Sequence, residues 1–245
     1  MRVQVFDGSA ALAAAGADVV HAGIAEFAGR ALGVATGSTP LGLYAELSRR
    51  CAQGLMDPGA LGIVALDEYL GVGPEHPGSY ATYVRDRIAR PLGIPDERVA
   101  VPDGLQEPGV ACPAFEASIR RLGCVGVQVA GIGSNGHLGF NEPGTPFDSR
   151  THIVQLSEQT RADNQAVFGT SPVPRFALTQ GISTILDARR ILLLATGAGK
   201  AEAVRRALTE APDVDCPASA VQLHPDVVVL LDRDAASALP ASVFA

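Results

Sequence analysis

Six short, almost continuous apolar runs punctuate the chain, at residues 3–6, 32–35, 63–66, 125–130, 191–195 and 227–231. A strand with one wet face alternates polar and apolar residues. Runs that do not alternate suit strands covered on both faces. Between the runs the period changes to that of a helix. After Pro40, Leu43, Tyr44, Leu47 and Cys51 share one face while Glu46, Arg49 and Arg50 take the other. After Gly199, Ala201, Val204 and Leu208 repeat the pattern, with Glu202, Arg205 and Arg206 turned outward. Strand–helix alternation of this kind predicts an α/β fold: a three-layer, Rossmann-like, mostly parallel sheet with helices on both faces. One domain is expected over residues 1–245. Ser157 is placed to cap a helix, and the GTSPVPR stretch at 169–175 comes after it, so 157–175 is expected to form a mobile lid.

Such sheets bind ligands at the carboxyl ends of their strands, so the residues just beyond each run are the candidates for chemistry. After the second run comes Thr36-Gly37-Ser38-Thr39-Pro40, where a glycine admits close approach and hydroxyls and helix-start amides can donate to an anion. The fifth ends in Thr196-Gly197-Ala198-Gly199-Lys200, which sets a cation at the start of a helix. Neither has P-loop spacing, so nucleoside triphosphate binding is not expected. Two such turns on one sheet edge suit a single phosphate group held from both sides.

The third run leads into Leu66-Asp67-Glu68-Tyr69, and side-chain alternation predicts that only one of the two acids faces the site, as a general base. The fourth leads into residues 131–144, GIGSNGHLGFNEPG, which gather His137, Asn135, Asn141 and Glu142 in one turn. A histidine moves protons near neutral pH, and a neighbouring carboxylate can orient its ring. Each feature alone has a bland reading: a capped turn, a solvated acidic turn, a histidine tied into a loop. Metal binding is not expected, because one histidine among scattered carboxylates makes a poor site.

Composition narrows the class. Of 245 residues, 47% are hydrophobic and 18% charged, enough for a packed core. A net charge of −7 argues against a nucleic-acid partner while leaving room for an anion held locally. The four cysteines, Cys51, Cys112, Cys124 and Cys216, form no CxxC pair and read as buried small hydrophobes of a reducing cytosol. The apolar stretch 10–17 is flanked by Asp7 and Asp18 without a basic lead. No run reaches the ~20 residues that a membrane span needs. A cytoplasmic protein without a membrane partner is expected.

Together these residues resemble the glucosamine-6-phosphate deaminase (isomerase) family. The resemblance runs through ATGSTP (35–40), LDEY (66–69), HPGSY (76–80), GIGSNGHLGFNEPG (131–144), SRT (149–151), TRADN (160–164), ALT (177–179) and VQLHP (221–225), in family order over most of the chain. It implies ring opening of a 2-amino-2-deoxyhexose 6-phosphate, a proton shift from C2 to C1 and loss of ammonia, giving fructose 6-phosphate with no cofactor. Asp67 resembles the C2/C1 base and His137 the group that moves a proton at the ring oxygen. Glu142 and Asn135 resemble the partners that set the charge and orientation of that histidine. Thr36, Gly37, Ser38, Thr39 and Lys200 resemble the phosphate cradle.

Three departures stand out. Position 135 is Asn where many members carry Asp. Ala166 stands where the family pattern places a phosphate-binding arginine, which weakens the cradle or leaves Arg161 or Arg175 to replace it. His152 and Val154 occupy positions resembling the basic allosteric residues of hexameric, activator-controlled members, so no activation of that type is expected. Other readings are a deaminase for the galacto epimer, a 6-phosphogluconolactonase, which has a similar Gly-x-Gly-x-x-Gly-His loop, and a sugar-phosphate-sensing domain of transcription regulators. Whether the chain works as a monomer or a homo-oligomer stays open.

Overall fold

Seven parallel strands, laid edge to edge in the order β1-β10-β9-β6-β2-β3-β5, form the central layer of the computed structural model, which describes residues 1–244. In chain order the elements are β1 (Arg2–Phe6), α1 (Ser9–Glu26), β2 (Ala31–Val34), α2 (Leu41–Ala52), β3 (Ile63–Ala65), β4 (Asp67–Tyr69), α3 (Tyr80–Val84), β5 (Val99–Ala100), α4 (Pro108–Arg121), β6 (Val125–Gly131), β7 (His152–Gln155), α5 (Glu158–Phe168), β8 (Phe176–Thr179), α6 (Ile182–Leu186), β9 (Arg190–Ala195), α7 (Ala201–Thr209) and β10 (Val227–Asp232). Each of the six apolar runs is a strand of this sheet, and both predicted helices are present.

Side-chain alternation explains why the inner strands carry no polar face. Leu32, Val34, Val127, Val129, Leu192, Leu194, Val228 and Leu230 pack with Leu12, Val20, Leu43 and Leu47 from α1 and α2. The intervening Ala130, Ile191, Leu193, Ala195, Val227, Val229 and Leu231 pack with Ile182, Ile185, Val204 and Leu208 from α6 and α7. Helices on both faces therefore exclude water from the inner strands, while the edge strand β1 keeps Arg2, Gln4 and Val5 exposed.

The expected third strand is corrected. It stops at Ala65, and Asp67 opens β4, which belongs to a second, antiparallel sheet ordered β4-β8-β7. In that sheet Asp67 pairs with Thr179, Glu68 with Leu178 and Tyr69 with Ala177. Burial of the cysteines is corrected as well: Cys216 is buried, while Cys51, Cys112 and Cys124 are only partly so.

The SRT segment anchors the small sheet to the large one. Thr151 donates through both its N–H (3.1 Å) and its hydroxyl (2.7 Å) to Glu116 of α4, which Thr184 (2.6 Å) and Arg150 (2.7 Å) also reach. Burial alone would raise the Glu116 pKa, but these donors outweigh it and bring it down to about 2. No described helix is long and apolar enough to cross a membrane.

Candidate active site

Four strands adjacent in the sheet, β9, β6, β2 and β3, end on the same edge. Above them lies a cleft of about 510 Å³, lined by Thr36–Thr39, Asp67, His137 and Lys200 among others. The crossover at the β3–β4 break and the antiparallel pairing with β8 bring Asp67 over this edge.

Asp67 is only 5% exposed. Its Oδ1 is buried without a hydrogen-bond partner among the described residues, and Oδ2 lies 3.7 Å from where a side chain on Gly139 would begin. Burial, reinforced by the neighbouring Glu68 charge, pushes its pKa well above the ordinary aspartate range. Glu68 points the other way. Its carboxylate accepts from the N–H groups of Tyr69 (2.9 Å), Tyr80 (3.0 Å) and Ala81 (2.9 Å) and from the Ser79 hydroxyl (2.6 Å), fastening the start of α3 beneath the cleft. Alternation therefore separates the adjacent acids into a cleft group and a structural one.

His137 sits in a tight turn in which Gly133 N–H donates to the His137 carbonyl (2.9 Å) and Gly136 N–H to that of Gly133 (3.0 Å). The ring lies flat on Gly133, where a Cβ would fall 2.2 Å from Nδ1. Burial pulls the His137 pKa down, Lys200 adds to that, and the charges of Glu142 and Asp163 oppose it. The ring is therefore neutral at neutral pH and able to accept a proton.

The expectation that Asn135 and Glu142 orient the ring is corrected: among the described residues, no hydrogen bond joins either side chain to the imidazole. Asn135 instead accepts from the His137 backbone N–H (3.1 Å) and donates to Glu142 (2.8 Å). Glu142 also accepts from the Ser157 N–H (3.1 Å) and the Thr160 hydroxyl (2.6 Å) at the start of α5. Burial raises its pKa, but those hydrogen bonds and the His137 charge bring it below the ordinary glutamate range. Glu142 thus joins the histidine turn to α5 and acts on the ring by charge alone. Asn135 adds no charge, and Asp163, which also faces the cleft, supplies a second negative one.

The two anion-suited turns meet. The Thr39 hydroxyl lies 3.3 Å from that of Thr196, and Tyr83 donates to the Gly37 carbonyl at 3.0 Å. Gly197 takes φ +87°, which the turn requires and which favours glycine, and its N–H rests on the Asp232 carboxylate (2.9 Å). Lys200 closes the turn just ahead of α7, with its pKa lowered by burial and partly restored by Asp163. Ala166 lines the cleft, and neither Arg161 nor Arg175 does. Among the residues lining the cleft, Lys200 is the one lysine or arginine.

The apolar pattern gave no hint of Tyr80, Asp163 or Asn164 in the lining. Tyr80 was visible only through the HPGSY motif, and Asp163 and Asn164 only through TRADN. Tyr80 bonds Tyr69 hydroxyl to hydroxyl at 3.0 Å and stacks on Phe140, in an aromatic cluster that also holds Phe168 at the end of α5. No group of three or more potential metal ligands occurs among the described residues.

With this geometry in place, comparisons with known proteins assign the family. The model for glucosamine-6-phosphate isomerases/6-phosphogluconolactonase matches residues 7–230. A glucosamine-6-phosphate deaminase of Arthrobacter sp. (strain FB24) is 44% identical over 241 residues, spanning 98% of this chain and 93% of that one. Glucosamine-6-phosphate deaminase 1 of Bacillus subtilis (strain 168) is 46% identical over 211 residues, 85% of this chain and 87% of that one. A solved structure of a monomeric glucosamine-6-phosphate deaminase, 42% identical, matches with a TM-score of 0.92 over 97% of this chain and 100% of its own. The 6-phosphogluconolactonase of Trypanosoma brucei matches with a TM-score of 0.78 over 98% of each chain at 23% identity, a likeness of fold. The chain belongs to the glucosamine-6-phosphate isomerase/6-phosphogluconolactonase family.

Proposed function

We propose that this protein converts glucosamine 6-phosphate and water into fructose 6-phosphate and ammonia in the cytoplasm. The observation that carries this reading is the arrival of a buried carboxylate and a neutral imidazole in one cleft from separate strands, beside a hydroxyl- and lysine-lined anion cradle. A lactonase has no carbon acid to deprotonate, so a buried second base favours the deaminase.

The phosphate binds among Thr36, Gly37, Ser38, Thr39 and Lys200, which fixes the sugar at the end remote from C1. His137 takes the anomeric hydroxyl proton and gives it to the ring oxygen as the C1–O5 bond breaks. Its depressed pKa keeps it able to accept that proton. Asp67 then removes the C2 proton of the open-chain aldehyde and returns it to C1, leaving an imine at C2. Water adds there, ammonia leaves and the ketone remains. The proton transfers need only acid–base groups, and two acids with separated environments provide them. Glu142 links the histidine to α5, so closure of a lid over 157–175 would reach the ring through its charge.

The test is a substrate panel with purified protein. Equimolar ammonia and fructose 6-phosphate are expected from glucosamine 6-phosphate, with hyperbolic saturation and no added activator. Galactosamine 6-phosphate and 6-phosphogluconolactone serve as the competing arms. Lactone hydrolysis without ammonia release from either amino sugar would overturn the proposal.

A further inference from the structure

Gln180 has no exposed surface, does not line the cleft and takes no part in the steps above. Most buried side-chain polar atoms are hydrogen-bonded; Gln180 uses its Nε2, while its Oε1 has no partner among the described residues. Its backbone N–H donates to the Leu66 carbonyl at 2.7 Å, and its side-chain Nε2 donates to the Ala65 carbonyl at 2.8 Å. Those two carbonyls flank the point where the chain leaves the parallel sheet at Ala65 and enters the antiparallel one at Asp67. The Gln180 carbonyl in turn accepts from Asn141 Nδ2 (2.8 Å) and from the Thr179 hydroxyl (3.2 Å). Asn141 is itself fully buried and donates to the carbonyl of Leu138, the residue after His137, at 2.7 Å. One residue thus stands between the crossing that carries Asp67 and the turn that carries His137.

We propose that Gln180 is a positioning residue for the C2-to-C1 proton transfer: it clamps the Ala65–Leu66 crossing, fixing the direction of Asp67, and ties it to the histidine turn through Asn141. The inference rests on Asp67 being the base. Asp67 is the first residue of a three-residue strand, so the crossing itself fixes its approach from upstream. A crossing released from its side-chain donor shifts the carboxylate relative to C2, and misplacement by about 1 Å costs on the order of 10²-fold in rate. Substrate binding depends on the phosphate cradle, which Gln180 does not touch.

The test is Gln180→Met, similar in length but unable to donate, with Gln180→Asn, whose amide falls short of Ala65, as the second variant should the first fail to fold. The expected result is a kcat lower by about 10- to 10²-fold with KM within about twofold of wild type. The primary isotope effect with C2-deuterated glucosamine 6-phosphate should rise, because a misaimed base makes C–H cleavage more rate-limiting. An isotope effect equal to wild type, or an unchanged kcat, overturns the proposal, since loss of folded protein lowers rate without touching the ratio. Asp67→Asn, run alongside, separates the two layers. If it is inactive and Gln180→Met behaves as wild type, the positioning role alone fails. If Asp67→Asn retains full activity, the base assignment fails and takes this inference with it.

Discussion

Asp67→Asn is expected to abolish ammonia release while making the protein more stable. The first effect comes from losing the group that carries hydrogen between C2 and C1. General bases contribute about 10²–10⁴-fold, and here one group serves both the removal and the return. The second comes from burial. Asp67 is held at 5% exposure, its charge desolvated and beside that of Glu68, so its folded-state pKa is raised well above the unfolded value of ~3.9. For a raised pKa, the stabilising contribution is present below the unfolded pKa and is lost as pH rises through the folded one. At neutral pH the charged carboxylate therefore opposes folding, and the neutral, isosteric amide removes that opposition. A relief of about 1 kcal/mol raises Tm by roughly 2–4 °C in a chain of this size. Higher Tm with no activity cannot come from misfolding. Lower Tm would mean that Asp67 is structural. The same burial places the acid limb of kcat/KM above the ordinary aspartate range, since the base works only when deprotonated.

Gly133→Ala is the second large effect expected. A Cβ there falls 2.2 Å from His137 Nδ1 and 2.3 Å from Cε1, far inside contact distance, so the ring must move. Displacement of about 1 Å costs on the order of 10²-fold, and kcat/KM for the cyclic sugar should fall by that much. Binding of the unreactive open-chain amino alcohol, 2-amino-2-deoxyglucitol 6-phosphate, should stay within about threefold, because its phosphate contacts lie on other strands and it needs no ring opening. Wild-type kcat/KM in Gly133→Ala would remove His137 from the ring-opening step.

Much of the architecture was legible from hydrophobic pattern alone, because five strands of the large sheet, β2, β3, β6, β9 and β10, are buried on both faces and cannot hide among polar residues. The small sheet was not. In β7 the side chains are at most half-buried, with Ile153 exposed, and β4 is a polar triplet, Asp67-Glu68-Tyr69, buried for reasons that period cannot express. Placement of Asp67 and His137 after strand ends came from the rule for parallel sheets. Their environments did not, because these depend largely on contacts distant in sequence: Glu142 with Ser157 and Thr160, and Gln180 with Ala65. The motif set Asn135 and Glu142 near His137 without showing that, among the described residues, neither side chain hydrogen-bonds the imidazole. A motif states which residues are near one another, and hydrogen bonds reveal which of them touch.

The central claim is that a C2–H bond breaks in each turnover and its carbon becomes a ketone. It is tested most directly by tracking C2-deuterated glucosamine 6-phosphate through the wild-type enzyme by NMR. The expected product is fructose 6-phosphate with no deuterium at C2 and one newly delivered hydrogen at a single stereochemical position on C1. A deaminated product that still carries deuterium at C2 would show that the amine was displaced without enolisation, and would contradict the account.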